Sequence, residues 1–370
     1  MRARTGAATW RHAAADASSS SRCSRVLARP LTRRALLTAA AGLAVAPLAG
    51  CMRGGVSAGG VRQANGLTKI TLGTAPWPTN EFFSLARERG IFEANGLEVE
   101  IQEFSSTTES SNAFAGGELD FNTYASSETI PPFVAGADIA VVIEDDKSYG
   151  GDGLVVRPGI TGPDDLRGAT IATQMYSVDH MLLLSYLQEH SLAERDVEIV
   201  DMTIEEAGNA FIAGQCDGAS IWDPYLSQAR DAGGTTLYTT KDNPNLITDV
   251  VCASKTMCER SPEIPLAFVR SFFQAVEHWK ANREEDTAFM AAGLGVDAEE
   301  FESELGGLLL ASPRDAVVAF TPANDFSYWG YTQNVIEGFL RDLKVVDKDV
   351  DCGEMIDDRF VRQVAEEGVA

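Results

Sequence analysis

From Thr68 to Ala253 short β-branched runs alternate with segments whose apolar residues recur at helical spacing, and this constrains the fold more than any other feature. Strands are expected at 68–75, 97–104, 119–125, 139–145, 153–158, 169–174, 197–203 and 216–222. Helices are expected between them at 80–96, 108–117, 127–136, 177–192, 204–215 and 224–233. Two extended runs follow, "TTLYTT" (235–240) and "DVVCAS" (249–254). Such alternation is the pattern of an α/β fold with a parallel or mixed sheet. From 261 onward the chain reads as mainly helical, including one helix through "DAEEFESELGGLLLA" (297–311).

About 300 such residues exceed one comfortable hydrophobic core, so two lobes are expected. The first would take 68–150 plus 250–370 and the second 151–249, with crossings near 150–153 and 245–250. The first crossing coincides with "KSYGGDG" (147–153), three glycines around one aspartate between two apolar runs.

The N-terminus has a different character. "TRRALLTAAAGLAVAPLAGC" (32–51) sets Arg33 and Arg34 before an apolar stretch too short to span a bilayer comfortably. It resembles a twin-arginine export signal ending in a lipobox, with Cys51 as the lipidated residue; an amphipathic helix with a chance cysteine is the alternative. Residues 1–50 would then be a signal peptide and 51–67 a flexible tether. Eight arginines against Asp16 give residues 1–50 a net +7, so the whole-chain charge of −24 becomes −31 without them. A surface this acidic argues against nucleic acid, and membrane attachment would have to come from the lipid.

Beyond Cys51 four cysteines remain, Cys216, Cys252, Cys258 and Cys352. Outside the cytoplasm they could pair in three ways, and the local pair Cys252/Cys258 is the preferred one. No zinc spacing is present and the four histidines are scattered, so neither a metal nor a cofactor is expected. P-loop and H-E-x-x-H motifs are missing, and no cysteine has a plausible histidine partner, so the expectation is a binding protein and not an enzyme.

"EANGLEVEI", "FAGGELDFNTYASSE", "PDDLRGATIA" and "GQCDGASIWDPYLSQA" resemble, in order, the nitrate/sulfonate/taurine (NitT/TauT-like) family of ABC-transporter substrate-binding lipoproteins, over about 68–345. The resemblance implies a type II periplasmic-binding-protein fold: two α/β lobes joined by two crossing segments, with a ligand cleft between them. It further implies a monomer, lipid-anchored on the extracytoplasmic face of the cell membrane, that hands a small molecule to a permease and its ATPase. A receptor-coupled solute sensor remains an alternative, as does a binding protein for a thiamine-pyrimidine precursor. Thiamine-pyrimidine synthases share the fold but depend on a Cys-rich motif and a histidine that have no counterpart here.

Open α/β sheets place ligands beyond the carboxyl ends of their strands, so each strand-to-helix junction offers candidates. Trp77, Asn80 and Glu81 stand at the first, where Trp77 either covers a ligand or plugs the lobe end. Ser126 and Ser127 stand at the second, as helix caps or as ligand contacts. At the third, Gln174, Tyr176 and Ser177 match positions that in the family help bind an anionic group, while Asp179 and His180 read as structural. Trp222 and Asp223 stand at the fourth, with Asp223 also a natural cap before Pro224. In the first crossing Ser148, Gly151 and Asp152 serve either a ligand or a hinge. Glu81, Glu128, Asp152 and Asp223 are the charges at these junctions, without Lys or Arg, which points to an amine-bearing ligand such as an amino-sulfonate or an amino-heterocycle.

Overall fold

The computed structural model describes residues 60–104 and 107–368. Cys51 and the export signal lie outside the described residues. Twelve strands are β1 (Val61–Arg62), β2 (Thr68–Thr74), β3 (Leu97–Glu103), β4 (Phe121–Ala125), β5 (Ala140–Ser148), β6 (Asp152–Val156), β7 (Thr170–Thr173), β8 (Glu198–Asp201), β9 (Gly218–Trp222), β10 (Thr235–Thr239), β11 (Thr248–Ala253) and β12 (Leu308–Leu310). They form two mixed sheets.

The first sheet runs β1-β2-β4-β11-β5-β12, with β3 on the other edge of β2. β2, β3 and β4 are parallel, whereas β11 is antiparallel to both β4 and β5. The second runs β10-β6-β9-β7-β8. The chain leaves the first sheet at Ser148, enters the second at Asp152, and returns between Thr239 and Thr248.

Both faces of the second sheet are buried. Leu154 and Val156 of β6 pack with Leu182, Leu183 and Leu187 of the helix Val178–Glu189. Val155 between them packs on the opposite face with Ile204, Phe211 and Leu226. Side chains alternate along a strand, so a strand covered on both faces reads as an unbroken apolar run. The first sheet is covered by the 19-residue helix Glu263–Ala281, whose Phe268 stacks on Phe121 at 4.1 Å and 9°. Met181 and Leu184, from the helix that covers the second sheet, pack into this first core.

Four expectations need correction. The tether ends earlier than 67, because Val61 and Arg62 pair with Lys69 and Thr68 as a hairpin turning at Gly66, where φ is +88°. Gly90, at φ +68°, splits the 80–96 helix into Glu81–Glu88 and Ile91–Ala94. The helix expected over 297–311 stops at Leu305, and Leu308–Leu310 forms β12 against β5. Finally, Cys252 and Cys258 are separate free thiols, as are Cys216 and Cys352. All four are buried and pack as small apolar groups; burial pushes Cys258 up to about 12.

Gly306 and Gly307 end the helix for a reason that lies elsewhere in the chain. The Gly307 carbonyl accepts from the backbone N–H groups of Tyr149 (2.7 Å) and Gly151 (3.2 Å), inside the first crossing. A Cβ on Gly307 would lie 3.0 Å from the Gly151 Cα, and backbone cannot swing aside as a side chain can. Gly307→Val should therefore destabilise the protein by about 1–3 kcal/mol in denaturant unfolding. Gly338→Ala, in the helix Trp329–Asp342 where an added Cβ meets nothing, should be neutral or stabilising by up to about 1 kcal/mol. Equal midpoints for Gly307→Val and the unsubstituted protein would contradict this close approach.

Candidate functional site

A cavity of about 410 Å³ opens where the two sheets present their strand ends to each other. The first sheet contributes Trp77 beyond β2, Tyr124 and Ala125 at the end of β4, and Asp146 and Ser148 at the end of β5. Because β11 runs antiparallel, its first residues reach the same edge, and Asp249 pairs in register with Ala125 on one side and Asp146 on the other. The second sheet contributes Asp152 and Trp222, which are register partners, and the Gln174–Val178 turn.

Among the described residues four carboxylates line this cavity, those of Glu128, Asp146, Asp152 and Asp249, and no Lys, Arg or His does. Asp146 accepts from Trp77 Nε1 (3.2 Å) and Thr79 Oγ1 (2.5 Å), yet burial still pushes it up to about 6. Asp152 accepts from Ser148 Oγ, and burial, with Asp223 and Asp146 nearby, pushes it up to about 7. The Asp249 carboxylate accepts no hydrogen bond among the described residues. Burial and the charges of Asp146, Asp145, Asp152 and Glu128 hold it well above the usual carboxylate range. Lys147, the nearest ammonium along β5, sits 3.0 Å from Glu144 and 2.7 Å from Asn245, away from the cavity.

Ser177 caps the helix Val178–Glu189, accepting from the His180 N–H at 3.3 Å. Behind the cavity, Asp179 in the first turn is fully buried with neither carboxylate oxygen hydrogen-bonded. Burial, with Asp152 nearby, holds its carboxyl well above the usual carboxylate range, and the side chain fills the end of the helix that would otherwise favour an anion. His180 adds no positive charge, since burial pushes it down to about 4 and its Nδ1 accepts from the Tyr176 N–H. Tyr176 is 52% exposed at the cavity mouth, in the left-handed region at φ +68°.

Among the residues expected from the sequence, Trp77, Asn80, Ser148, Asp152, Gln174, Tyr176, Ser177 and Trp222 border this cavity. Gly151 and Asp223 border a neighbouring one of about 350 Å³. Three residues reach neither. Glu81 turns toward the helix Arg283–Leu294, its Oε2 lying where a Cβ on Gly293 would stand. Ser126 and Ser127 form a 3₁₀ turn with Glu128 and Thr129, and Ser126 Oγ accepts from Gln333 Nε2 at 2.9 Å. Asp146 and Asp249 were not expected; the visible signal is an acidic residue at one end of an apolar strand, in "IEDDK" and "ITDVV".

The crossings are tied to each other at the cavity floor. Ser148 Oγ lies 2.8 Å from Thr240 Oγ1, which also accepts from the Gly150 N–H at 2.7 Å. The Ser148 N–H donates to the Ile247 carbonyl (3.0 Å) and the Thr240 N–H to that of Asp152 (3.1 Å). Ser148 therefore joins both crossings to the Asp152 carboxylate.

A family model described as NMT1/THI5 like matches residues 77–286. A Bacillus subtilis (strain 168) protein assigned as an aliphatic sulfonates-binding protein is 26% identical over 76% of this chain and 84% of its own length. The taurine-binding periplasmic protein of Escherichia coli (strain K12) is 28% identical over 51% of this chain and 59% of its own. The crystal structure of the periplasmic aliphatic sulphonate binding protein SsuA from Escherichia coli superposes with a TM-score of 0.67 at 22% identity, covering 80% of this chain and 99% of that one. That last likeness is one of fold, the two-lobed type II periplasmic-binding fold expected from the sequence.

The carboxylates also set a dependence of stability on pH. Asp152 ordinarily titrates near 3.8 and in the folded protein at about 7, so between those values the folded state binds the extra proton. That stability is fully present below about 3.8 and is lost as pH rises through about 7. Asp146, Asp249 and Asp179 are raised as well and act in the same direction. The ligand-free protein should be less stable to unfolding at pH 7.5 than at pH 5, by on the order of a few kcal/mol. Asp152→Asn should flatten the slope, and a level profile from pH 4 to 7.5 would contradict the crowding.

Proposed function

Because the chain belongs to the NMT1/THI5-like family, we propose that it is the lipid-anchored, extracytoplasmic solute-binding component of an ABC importer, capturing a small amine-bearing solute for the permease. The observation that carries this reading is the cavity lined by Glu128, Asp146, Asp152 and Asp249 with no cationic side chain. An isolated anion there would meet like charge on several sides. An ammonium would relieve it, and taurine, which names one relative, carries an ammonium beside its sulfonate.

Each sheet supplies part of the cage. Asp146, Asp249 and Trp77 come from the first; Asp152, Trp222 and Tyr176 come from the second. A cation among carboxylates and aromatic faces gains Coulomb and cation–π energy in a partly dry site. Since those groups belong to both lobes, a solute touching all of them stabilises the closed arrangement by its extra affinity for that state. A permease that recognises the closed form would then receive only loaded protein. The "TRRALL…LAGC" segment supports export and lipidation at Cys51.

Calorimetric titration tests the ligand class. Taurine and aminopyrimidines, both amine-bearing, should bind more tightly than nitrate and methanesulfonate. Asp249→Asn should cost the amines about 1.5–3 kcal/mol, the worth of a charged hydrogen bond. Trp222→Ala should cost about 1–2 kcal/mol through the lost cation–π face. Tight binding of nitrate or methanesulfonate without any of the amines would overturn the reading.

A further inference from the structure

The second cavity adjoins the first, with Pro76, Trp77 and Trp222 in the wall of both. Past the two indoles its walls are apolar, made by Pro78, Tyr225, Leu294, Val296 and Leu308, and its polar end carries Asp223 and Glu304. Asp223 is already committed: it accepts from the Ser227 N–H at 2.8 Å and lies 3.7 Å from Arg230. Glu304 is half-buried, and its carboxylate makes no hydrogen bond or ion pair among the described residues. A third cavity of about 340 Å³ shares Asp223, Pro224 and Glu304 with the second and is bounded further on by Asp297, Glu299 and Glu300. Across the three adjoining cavities the lining therefore changes from carboxylates, past two indoles and an apolar chamber, to carboxylates again, and among the described residues no Lys, Arg or His lines them.

We infer that the solute is an elongated aliphatic diamine, with one ammonium among Asp146, Asp152 and Asp249, the other at Glu304, and its methylenes lying along Trp77 and Trp222. This rests on the amine reading above and narrows it. A compact monoamine would occupy only the first cavity and leave Glu304 without a counter-charge. A plain alkyl tail would suit the apolar walls but end against that same carboxylate, and an anionic tail would be repelled there. A second ammonium answers both, since aliphatic carbons fill an apolar passage while each end keeps its charge paired.

The test is a calorimetric series on the full mature protein, using α,ω-diaminoalkanes of three to eight carbons and the n-alkylamines of matching length. At an optimum length the diamine should bind at least ten-fold more tightly than its monoamine. Glu304→Gln should reduce that diamine at least ten-fold, and Glu304→Lys should reduce it further, with thermal melts confirming that both variants fold. Equal affinities for diamine and monoamine at every length would overturn the inference while leaving the amine reading intact. So would a diamine advantage that survives Glu304→Lys. Failure of both series to bind, with taurine and the aminopyrimidines failing too, would overturn both.

Discussion

Crowding of like charge at the junction of two sheets is the constraint on which the rest of this structure depends. Asp146 and Asp249 are register neighbours across antiparallel strands, and Asp152 faces the same cavity from the other sheet. Like charges directly opposite on a sheet are destabilising. Two full charges 4 Å apart would repel by about 4 kcal/mol at an effective dielectric of 20. Donors from Trp77, Thr79 and Ser148 and the retention of protons ease this without removing it. Under the proposed reading a positive charge entering the cavity relieves the rest, so the same residues that cost stability in the empty protein would supply affinity in the loaded one.

The crossings convert that electrostatic demand into a mechanical one. Ser148 and Thr240 link the two crossing segments, and the Gly307 carbonyl holds the first from outside through Tyr149 and Gly151. The helix Val178–Glu189 packs on the second sheet while giving Met181 and Leu184 to the first core. A solute that neutralises Asp152 therefore acts on the residue hydrogen-bonded to Ser148, the side chain that joins the crossings. Binding and the relative setting of the sheets share atoms.

The fold was largely legible because strand–helix alternation is written locally. The strands at 97–103, 121–125 and 218–222 fall within a few residues of their expected bounds. Junction logic led to Trp77, Gln174 and Trp222 because the parallel strands end where a ligand can sit, and the glycines of the first crossing led to Asp152. It passed over Asp249 for a topological reason: β11 runs the other way, so its beginning, not its end, reaches the cleft. Asp146 was hidden because β5 continues to Ser148, three residues past the strand end expected at 145. Glu81, Ser126 and Ser127 fall outside both cavities because a junction fixes a residue's neighbourhood but not the rotation of the helix that follows. The Gly307 contact joins residues more than 150 positions apart, and no local pattern announces it.

The most direct test of the central claim is a proton count. Calorimetric titration of a binding amine near pH 6.5, repeated in buffers of different ionisation enthalpy, gives the number of protons exchanged with solvent. If carboxylates that retain protons in the empty cavity are what receive the ammonium, binding must release protons, and Asp152→Asn must reduce their number. Binding with no net proton exchange, or with uptake, would contradict the account.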